Sequence, residues 1–517
     1  MSTRPLLTDP RRFRNKNRRH GFRTALIGTL KPDDASMSSH PSLRVAAGLG
    51  QPWCQVLVAL LVSSLVAQAA VSPLAPPTNA TPHASDRPWP DHPLSLGECL
   101  NTALQQNPSI LQSQQDLKAA EGIVVQTRAI ALPKLQSTGQ YGYSDQLESL
   151  RLQDRAIELQ RDHSWSAGIR LVQSLYEGGR IQSSLRTARL TREQALLSHQ
   201  AVVMDVVLLV RVAFDDVLMT AEQIVVENAA QELLRKELED TTRRYNAGTV
   251  PQFNVLRSEV ELANAQPRLF QARNAHRIAK NHLAHLLGYR VPPGVWEDIP
   301  LKLTGVLDAA PYAVDLPQAI SEALLHRPEL AILRKTRSLR EEGVTTARAG
   351  YLPSVQLFGG YGWRSSSFQD DLMADVAGWN AGAQLTWNWF DGLMTRGKVM
   401  EAKASLERAR IEVEDRTRQV ELEVRTAYSA FVEAREVLES QKKVIEQAQE
   451  ALRLASARDE AGTGTQLDVL NAQTALTQAR TTHVRALRDY SVARARLERA
   501  MGRGWPEATA GPLPASP

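Results

Sequence analysis

The sequence predicts an α+β chain in which short alternating strands run into very long helices, the whole unit being written twice in tandem. Three observations carry this. The first is the repeat itself: AGTVPQFNVL (247–256) and AGTGTQLDVL (461–470) share six of ten residues, and self-similarity of this kind marks a duplicated structural unit. The second is a two-residue alternation of apolar with polar or small residues ahead of each long helical stretch. The third is a heptad ladder, Val424, Phe431, Leu438, Ile445 and Leu452, inside a helical pattern far longer than the globular norm.

The repeat extends well beyond the two decamers. LSLGECLNTALQQNPSI from Leu94 aligns with VDLPQAISEALLHRPEL from Val314, without a gap through Leu132-Pro133 and Leu352-Pro353. QSTGQYGY from Gln136 then answers QLFGGYGW from Gln356, and WSAGIRLVQSLYEGG from Trp165 answers WNAGAQLTWNWFDGL from Trp379. The copies are expected to occupy 94–288 and 314–502. A Pro-rich connector, 289–313, separates them, and Pro-rich segments at 70–93 and 503–517 flank them.

Each copy reads in the same order. A short amphipathic helix opens it. A second helix begins at Pro108 or Pro328, since proline lacks an N–H that the first turn leaves unpaired anyway. It stops ahead of Pro133 or Pro353, because the residue before proline is pushed toward extended backbone. Strand pairs follow, at about 134–145 and 163–176 in the first copy and about 354–364 and 378–390 in the second, each pair joined by a polar loop. Then come a long helix (about 180–246 or 396–459), a turn (247–256 or 461–470) and a last helix ending at Gly288 or Gly502. About 65 helical residues reach roughly 100 Å. The two shorter helices of each copy, stacked end to end, match that length, so a uniform helical wall is expected. A second ladder (Ala430, Val437, Val444, Ala451) runs one position before the first, which widens the apolar stripe enough to touch neighbours on both sides.

The strands are two-faced. Trp165, Ala167, Ile169 and Leu171 alternate with Ser166, Gly168, Arg170 and Val172; Trp379, Ala381, Ala383, Leu385, Trp387 and Trp389 alternate with Asn380, Gly382, Gln384, Thr386 and Asn388. One apolar face over about ten residues suits a strand of a lipid-facing barrel, although a half-buried sheet on a soluble core would alternate in the same way. Aromatic placement favours the barrel. Tyr141, Tyr143, Trp165, Tyr361, Trp363 and Trp379 sit at strand ends beside the polar loops, where amphipathic rings suit a membrane interface.

The formal charge of +5 is misleading, because residues 1–69 hold ten Lys/Arg against three acids, leaving 51 basic and 53 acidic residues in the rest. A nucleic-acid partner therefore loses its main support. Residues 56–66 form an apolar run followed by Ala67-Gln68-Ala69, a secretory signal with a small-residue cleavage site. Its basic lead (Arg11, Arg12, Arg14, Lys16, Arg18, Arg19) is long, and a start at Met37 gives a signal of ordinary length. Cys54 leaves with the signal, so Cys99 has no intrachain partner, and neither cysteine has a lipid-anchor setting. No later segment is long and apolar enough for a transmembrane helix.

His276, His282 and His285 do not share one helical face well and read as surface residues rather than metal ligands. Glu177-Gly178-Gly179 looks like a phosphate loop, but its counterpart Asp391-Gly392 marks a strand-to-helix turn. Nothing assembles a nucleophile, a base and an oxyanion site, so no enzyme, cofactor or metal is expected. Gly248 and Gly462 fit the position just past a helix end. Thr249, Thr463, Gln252 and Gln466 are placed to cap the amides exposed at the turns.

With the ordered repeat, the Leu132-Pro133 and Leu352-Pro353 strand openings, and G-T-x-x-x-x-D-V-L from Gly462 to Leu470, the chain resembles the outer membrane efflux protein family of TolC-like channels over essentially all of its mature length. The resemblance implies a homotrimer in the outer membrane of a Gram-negative bacterium. Four strands per subunit would make one twelve-stranded β-barrel, continuous with a long periplasmic α-helical barrel. The implied role is the exit duct of a tripartite efflux or type I secretion system, working with a periplasmic membrane-fusion adaptor and an inner-membrane pump. Gly248, Thr249, Gly462 and Thr463 would lie at the adaptor-facing turns. Physics agrees on one point: four strands cannot close a barrel, for which about eight is the practical minimum.

In TolC-like channels the turns form a constricted entrance with acidic rings. Asp468 matches the first acid, Asn471 stands at the second, Asn254 replaces an acid in the first-copy turn, and Gly464 stands where an arginine links the gate. The implied entrance is one ring of three Asp468 carboxylates with a different latch. Mutual repulsion would raise their pKa, and the ring would attract cations. The plain alternative is that Asp468 caps its helix. The rival for the whole chain is a periplasmic coiled-coil adaptor, which would lack the aromatic-edged strand pairs.

Overall fold

The computed structural model describes residues 89–90, 92–143, 149–152, 155–158, 163–290, 294, 298–307, 309–365 and 375–504. The signal segment 1–69, most of the 70–93 segment and all but the first two residues of the 503–517 tail lie outside them. In chain order the elements are α1 (Leu96–Gln106), α2 (Pro108–Arg128), β1 (Lys134–Tyr143), β2 (Ser149–Leu152), β3 (Arg155–Glu158), β4 (His163–Glu177), α3 (Arg180–Asn246) and α4 (Gln252–Leu286). The second copy gives α5 (Leu316–His326), α6 (Pro328–Arg348), β5 (Ser354–Ser365), β6 (Asp375–Thr386), α7 (Met394–Glu460) and α8 (Gln466–Ala500).

Local chemistry sets the helix starts. Ser95 and Glu98 form a reciprocal capping box on α1, and the Asn107 side chain accepts from the Ser109 and Ile110 amides ahead of Pro108. The same repeat positions also tie the stacked helices end to end. Asn107 Nδ2 donates to Leu286 O at 2.7 Å, and its counterpart Arg327 donates through Nε to Ala500 O at 2.6 Å. Glycine is required at these junctions. A Cβ on Gly288 would stand 2.7 Å from Gln106 O, and one on Gly502 would stand 2.9 Å from His326 C, both at positive φ.

The two copies build matching cores. Val206, Val210, Val217, Leu283 and Leu287 in the first answer Val420, Val424, Phe431, Leu497 and Met501 in the second, and all ten are buried. α3 and α7 are 67 residues each, about 100 Å at ~1.5 Å per residue. The stacked pairs α2 with α4 and α6 with α8 run beside them, so the wall reads α2/α4, α3, α6/α8, α7 from edge to edge. Of the two ladders on α7, Val424, Phe431 and Leu438 face inward, whereas Val437 and Val444 lie exposed on the outer edge. Phe431, 2% exposed, meets Tyr312 edge-on and tilts against Tyr490. Phe431→Ala is expected to cost about 3–5 kcal/mol, read as an earlier denaturant midpoint of the detergent-solubilised protein. A midpoint within a few per cent of wild type would contradict this core.

The strands form one four-stranded antiparallel sheet, β1-β4-β5-β6, with β1 and β6 as free edges. The wall and the sheet thus end on the same elements, α2/α4 with β1 and α7 with β6. Three differences from the sequence reading follow from pairing. The 144–162 loop contains a short hairpin, β2 with β3, which its polar composition hid. β6 ends at Thr386 rather than about 390, because its partner β5 begins at Ser354, opposite Thr386. Trp387 beyond it donates through Nε1 to Tyr351 O and stacks on Trp389 at 4.3 Å. Finally, 289–313 is more than a linker: Ile299, Leu301 and Leu307 are buried, and Leu94 bridges Leu303. Among the described residues no helix is long and apolar enough to cross a membrane.

Candidate functional site

Two regions hold the residues singled out from sequence: the helical turns at one end of the long helices and the strand sheet at the other. At the turns, both long helices end in the same way. The Thr249 amide donates to Arg244 O and the Gly248 amide to Tyr245 O; Thr463 and Gly462 repeat this on Arg458 and Asp459. This is the Schellman arrangement with glycine at positive φ. The Thr249 and Thr463 hydroxyls donate to the carbonyls of Arg244 and Arg458. They close the helix behind them rather than cap the one ahead. Gly248, Thr249, Gly462 and Thr463 are all exposed.

Asp468 belongs to a capping box. Its Oδ2 accepts from Thr465 Oγ1 at 2.7 Å and from the Thr465 amide at 3.1 Å, while Thr465 Oγ1 accepts from the Asp468 amide. The Thr465 hydroxyl, then its amide, hold the Asp468 carboxyl below the usual range. Within one chain the direction is thus opposite to the rise expected from a ring of like charges, because these donors stabilise the charged form. The side chain remains exposed on the first turn of α8, as does Asn471 one turn on, while Asn254 is half-buried.

Gln466 does not cap. It reaches into the first-copy hairpin, its Nε2 donating to Ser258 Oγ at 2.6 Å and to Thr241 Oγ1 at 2.9 Å, with Asn254 O at 3.4 Å. Beside it Arg244 Nη1 contacts Asp459 Oδ2 at 2.6 Å. The Asp459 hydrogen bond raises the Arg244 pKa, and burial raises that of the neighbouring Glu237 carboxyl. These residues bracket the two hairpins together, and none of the bracket ties was predicted from sequence. The available signal is a mismatch between copies: Tyr245 in the first stands where Asp459 stands in the second, and Pro251 where Thr465 stands.

The histidines divide. His282 and His285 are exposed, whereas His276 is half-buried, 3.1 Å through Nδ1 from Thr220 Oγ1, and burial lowers its pKa. That corrects its reading as a surface residue. Among the described residues no group of His, Cys, Asp and Glu could hold a metal.

The sheet has two unlike faces. Register puts Leu135, Tyr141, Trp165, Ala167, Ile169, Leu171, Tyr361, Trp363, Trp379, Ala381 and Leu385 on one side. Tyr141, Tyr143, Trp165, Tyr361, Trp363 and Trp379 all fall on this face, on four successive levels that run from the polar loops (Tyr143) to mid-sheet (Tyr361 with Trp379). Tyr361 packs edge-on against both Trp363 (4.6 Å) and Trp379 (4.9 Å). The opposite side carries Lys134, Gln136, Thr138, Arg170, Gln356, Arg364, Asn380 and Gln384. Trp379 and Leu385 are 84% and 65% exposed, an apolar display on the outer face that no water-facing sheet would carry.

A family model described as outer membrane efflux protein matches residues 99–289 and 319–503. The chain belongs to the outer membrane efflux protein family. It is similar to the outer membrane protein TolC of Vibrio cholerae serotype O1, 25% identical over 419 residues covering 79% of this chain and 90% of that one. It is similar also to the alkaline protease secretion protein AprF of Pseudomonas aeruginosa, 25% identical over 415 residues, 78% of this chain and 83% of the other. Among solved structures, the outer-membrane channel OprN shares the fold, with a TM-score of 0.67, 21% identity and coverage of 79% and 90%. This family member is an outer-membrane channel of the efflux and secretion type, and the coiled-coil adaptor reading falls.

Proposed function

We propose that three copies of this chain close one twelve-stranded barrel in the outer membrane and one helical tunnel below it. Together they form the exit duct of a tripartite efflux or type I secretion system. The observation that carries this is the open sheet with one apolar, aromatic-banded face and both edges unpaired. Free edges are tolerated in a membrane only if they pair. Joining β6 of one copy to β1 of the next satisfies both, and it brings the apolar edge of α7 against α2/α4 of the neighbour, where Ile123, Phe253, Val260 and Phe270 are also exposed. The six strand-end aromatics would then sit as a girdle at the outer interface. Transport through the duct is passive, with energy supplied by an inner-membrane pump. A periplasmic adaptor would dock on the exposed turns around Gly248, Thr249, Gly462 and Thr463. The native mass of the detergent-extracted protein tests the assembly: three chains per particle are expected, and a lone chain or a pair would overturn it.

Asp468 gives this duct three carboxylates at its mouth. Held ionised by Thr465, each remains available to cations through its second oxygen. Asp468→Asn is expected to weaken block by a trivalent cation added on the turn side about ten-fold, while Asp468→Glu retains it. Equal block in Asp468→Asn and wild type would reduce Asp468 to its capping role.

A further inference from the structure

We propose that Lys134, Arg170 and Arg364 form an electropositive ladder on the polar side of the strand sheet, favouring anionic solutes in the membrane section of the duct. This rests on the barrel reading above, in which the polar side faces the lumen. Register places all three on that side: Lys134 pairs with Val172, Arg170 with Gly360, and Arg364 with Ser166. Counted along β4, the rungs lie at positions 172, 170 and 166, so they climb about 7 Å and then about 13 Å at ~3.3 Å per residue. All three side chains are exposed, and none has an ion-pair partner among the described residues.

The acids on this side do not cancel them. Among the described strand residues, the one carboxylate sharing the polar face is Glu177, at the helix end of β4. It is bound by Arg180 through Nε at 2.8 Å and Nη2 at 2.5 Å. Among the described strand residues the opposite sign is therefore neutralised where it occurs, and three cations per chain are left over, nine in a trimer.

The middle rung is held in place. Among the described residues Phe358 is the one aromatic on this mostly polar face, and the Arg170 guanidinium sits 4.9 Å over its ring, a cation–π contact. The ring itself lies on Gly382, where a Cβ would come within 2.9 Å of it. Gly168, Gly360 and Gly362 add no side chain of their own to the neighbouring wall. An arginine merely solvated in a channel needs neither an aromatic seat nor a glycine beneath that seat. Charges of one sign fixed on a low-dielectric wall concentrate counter-ions beside it. At 0.1 M salt the screening length is about 10 Å, comparable with the rung spacing, so successive levels reinforce one another. Rings of Arg and Lys are the usual device of anion-conducting pores.

The test uses the intact channel in planar bilayers, with inositol hexakisphosphate, a compact polyanion, added on the strand side. Reversible block of wild type is expected. Its half-blocking concentration should rise at least ten-fold in Arg170→Gln/Arg364→Gln and again on raising KCl to about 1 M, where screening shortens to about 3 Å. Arg170→Lys/Arg364→Lys, which preserves the charge, should stay within about three-fold of wild type, so a defect of folding is separated from loss of charge. Conducting steps with equal block in wild type and the Gln variant would overturn the ladder and leave the duct standing. Absence of conducting steps in wild type would instead count against the duct itself.

Discussion

Arginine at Ala381 is expected to keep the chain out of the outer membrane, while arginine at Gln384, three residues on, leaves it there. Both positions lie on β6 and both are exposed, so neither change disturbs a packed core. They differ in face. Ala381 pairs with Gly359 on the side of Trp379 and Leu385, near the middle of the strand, whereas Gln384 pairs with Gln356 on the polar side. A guanidinium on the lipid face at mid-depth costs about 2–4 kcal/mol, and a closed trimer carries that cost three times. On the lumen face the same group stays hydrated. The readout is the amount of trimer recovered from outer-membrane fractions. Near-complete loss for Ala381→Arg with wild-type recovery for Gln384→Arg is the expected pair. Equal recovery of both would mean that the apolar face does not meet lipid.

Cutting the bracket between the hairpins is expected to open the duct. Arg244→Ser removes the contact with Asp459, and Gln466→Ala removes the ties to Ser258 and Thr241. Arg244 is about a third exposed, so its ion pair is worth at most about 1 kcal/mol. The amide bonds of half-buried Gln466 add about 1 kcal/mol more. Together about 2 kcal/mol shifts the open-to-closed ratio roughly thirty-fold. Long-lived high-conductance states should become the rule in the double variant, and unchanged dwell times would rule out the bracket as a latch.

The bracket also predicts a pH dependence. Burial raises the Glu237 carboxyl above its ordinary 4.5, with Asp459 adding to the shift, while Gln466, Thr241 and Arg244 oppose it. A proton is therefore held more tightly in the closed bracket than in an opened, solvated one. The contribution of Glu237 to the closed bracket is fully present below pH 4.5 and is lost as pH rises through the raised value. Opening should increase with pH across that window, and Glu237→Gln should flatten the curve.

Much of this architecture was legible because duplication prints the same constraint twice. Val210 and Val424, or Leu283 and Leu497, are buried at matching repeat positions, and a heptad repeated from Val424 to Leu452 inside an unbroken helical pattern leaves little choice but a long helix. The two faces of β6 could be read from Trp379 to Thr386, since side-chain direction alternates strictly along a strand. What stayed hidden depends on partners far away in sequence. Thr386 ends its strand because of where β5 begins, which no residue near 386 records. Gln466 reads as an ordinary helix-start residue until folding brings Ser258 and Thr241 to its amide. His276 lies on a polar helix, and its half-buried place beside Thr220 appears only when α3 packs against that helix. Val437 and Val444 could be read as a second apolar seam, but that they lie exposed on an edge helix of the chain's own wall is visible only from the helix order.

Single-channel recording of the purified mature protein, residues 70–517, in a planar bilayer tests the central claim most directly. Discrete, long-lived conductance steps are predicted, blocked by trivalent cations from the turn side and by polyanions from the strand side. A protein that inserts no steps under any condition would contradict the duct and return the tryptophan-banded sheet to some other role.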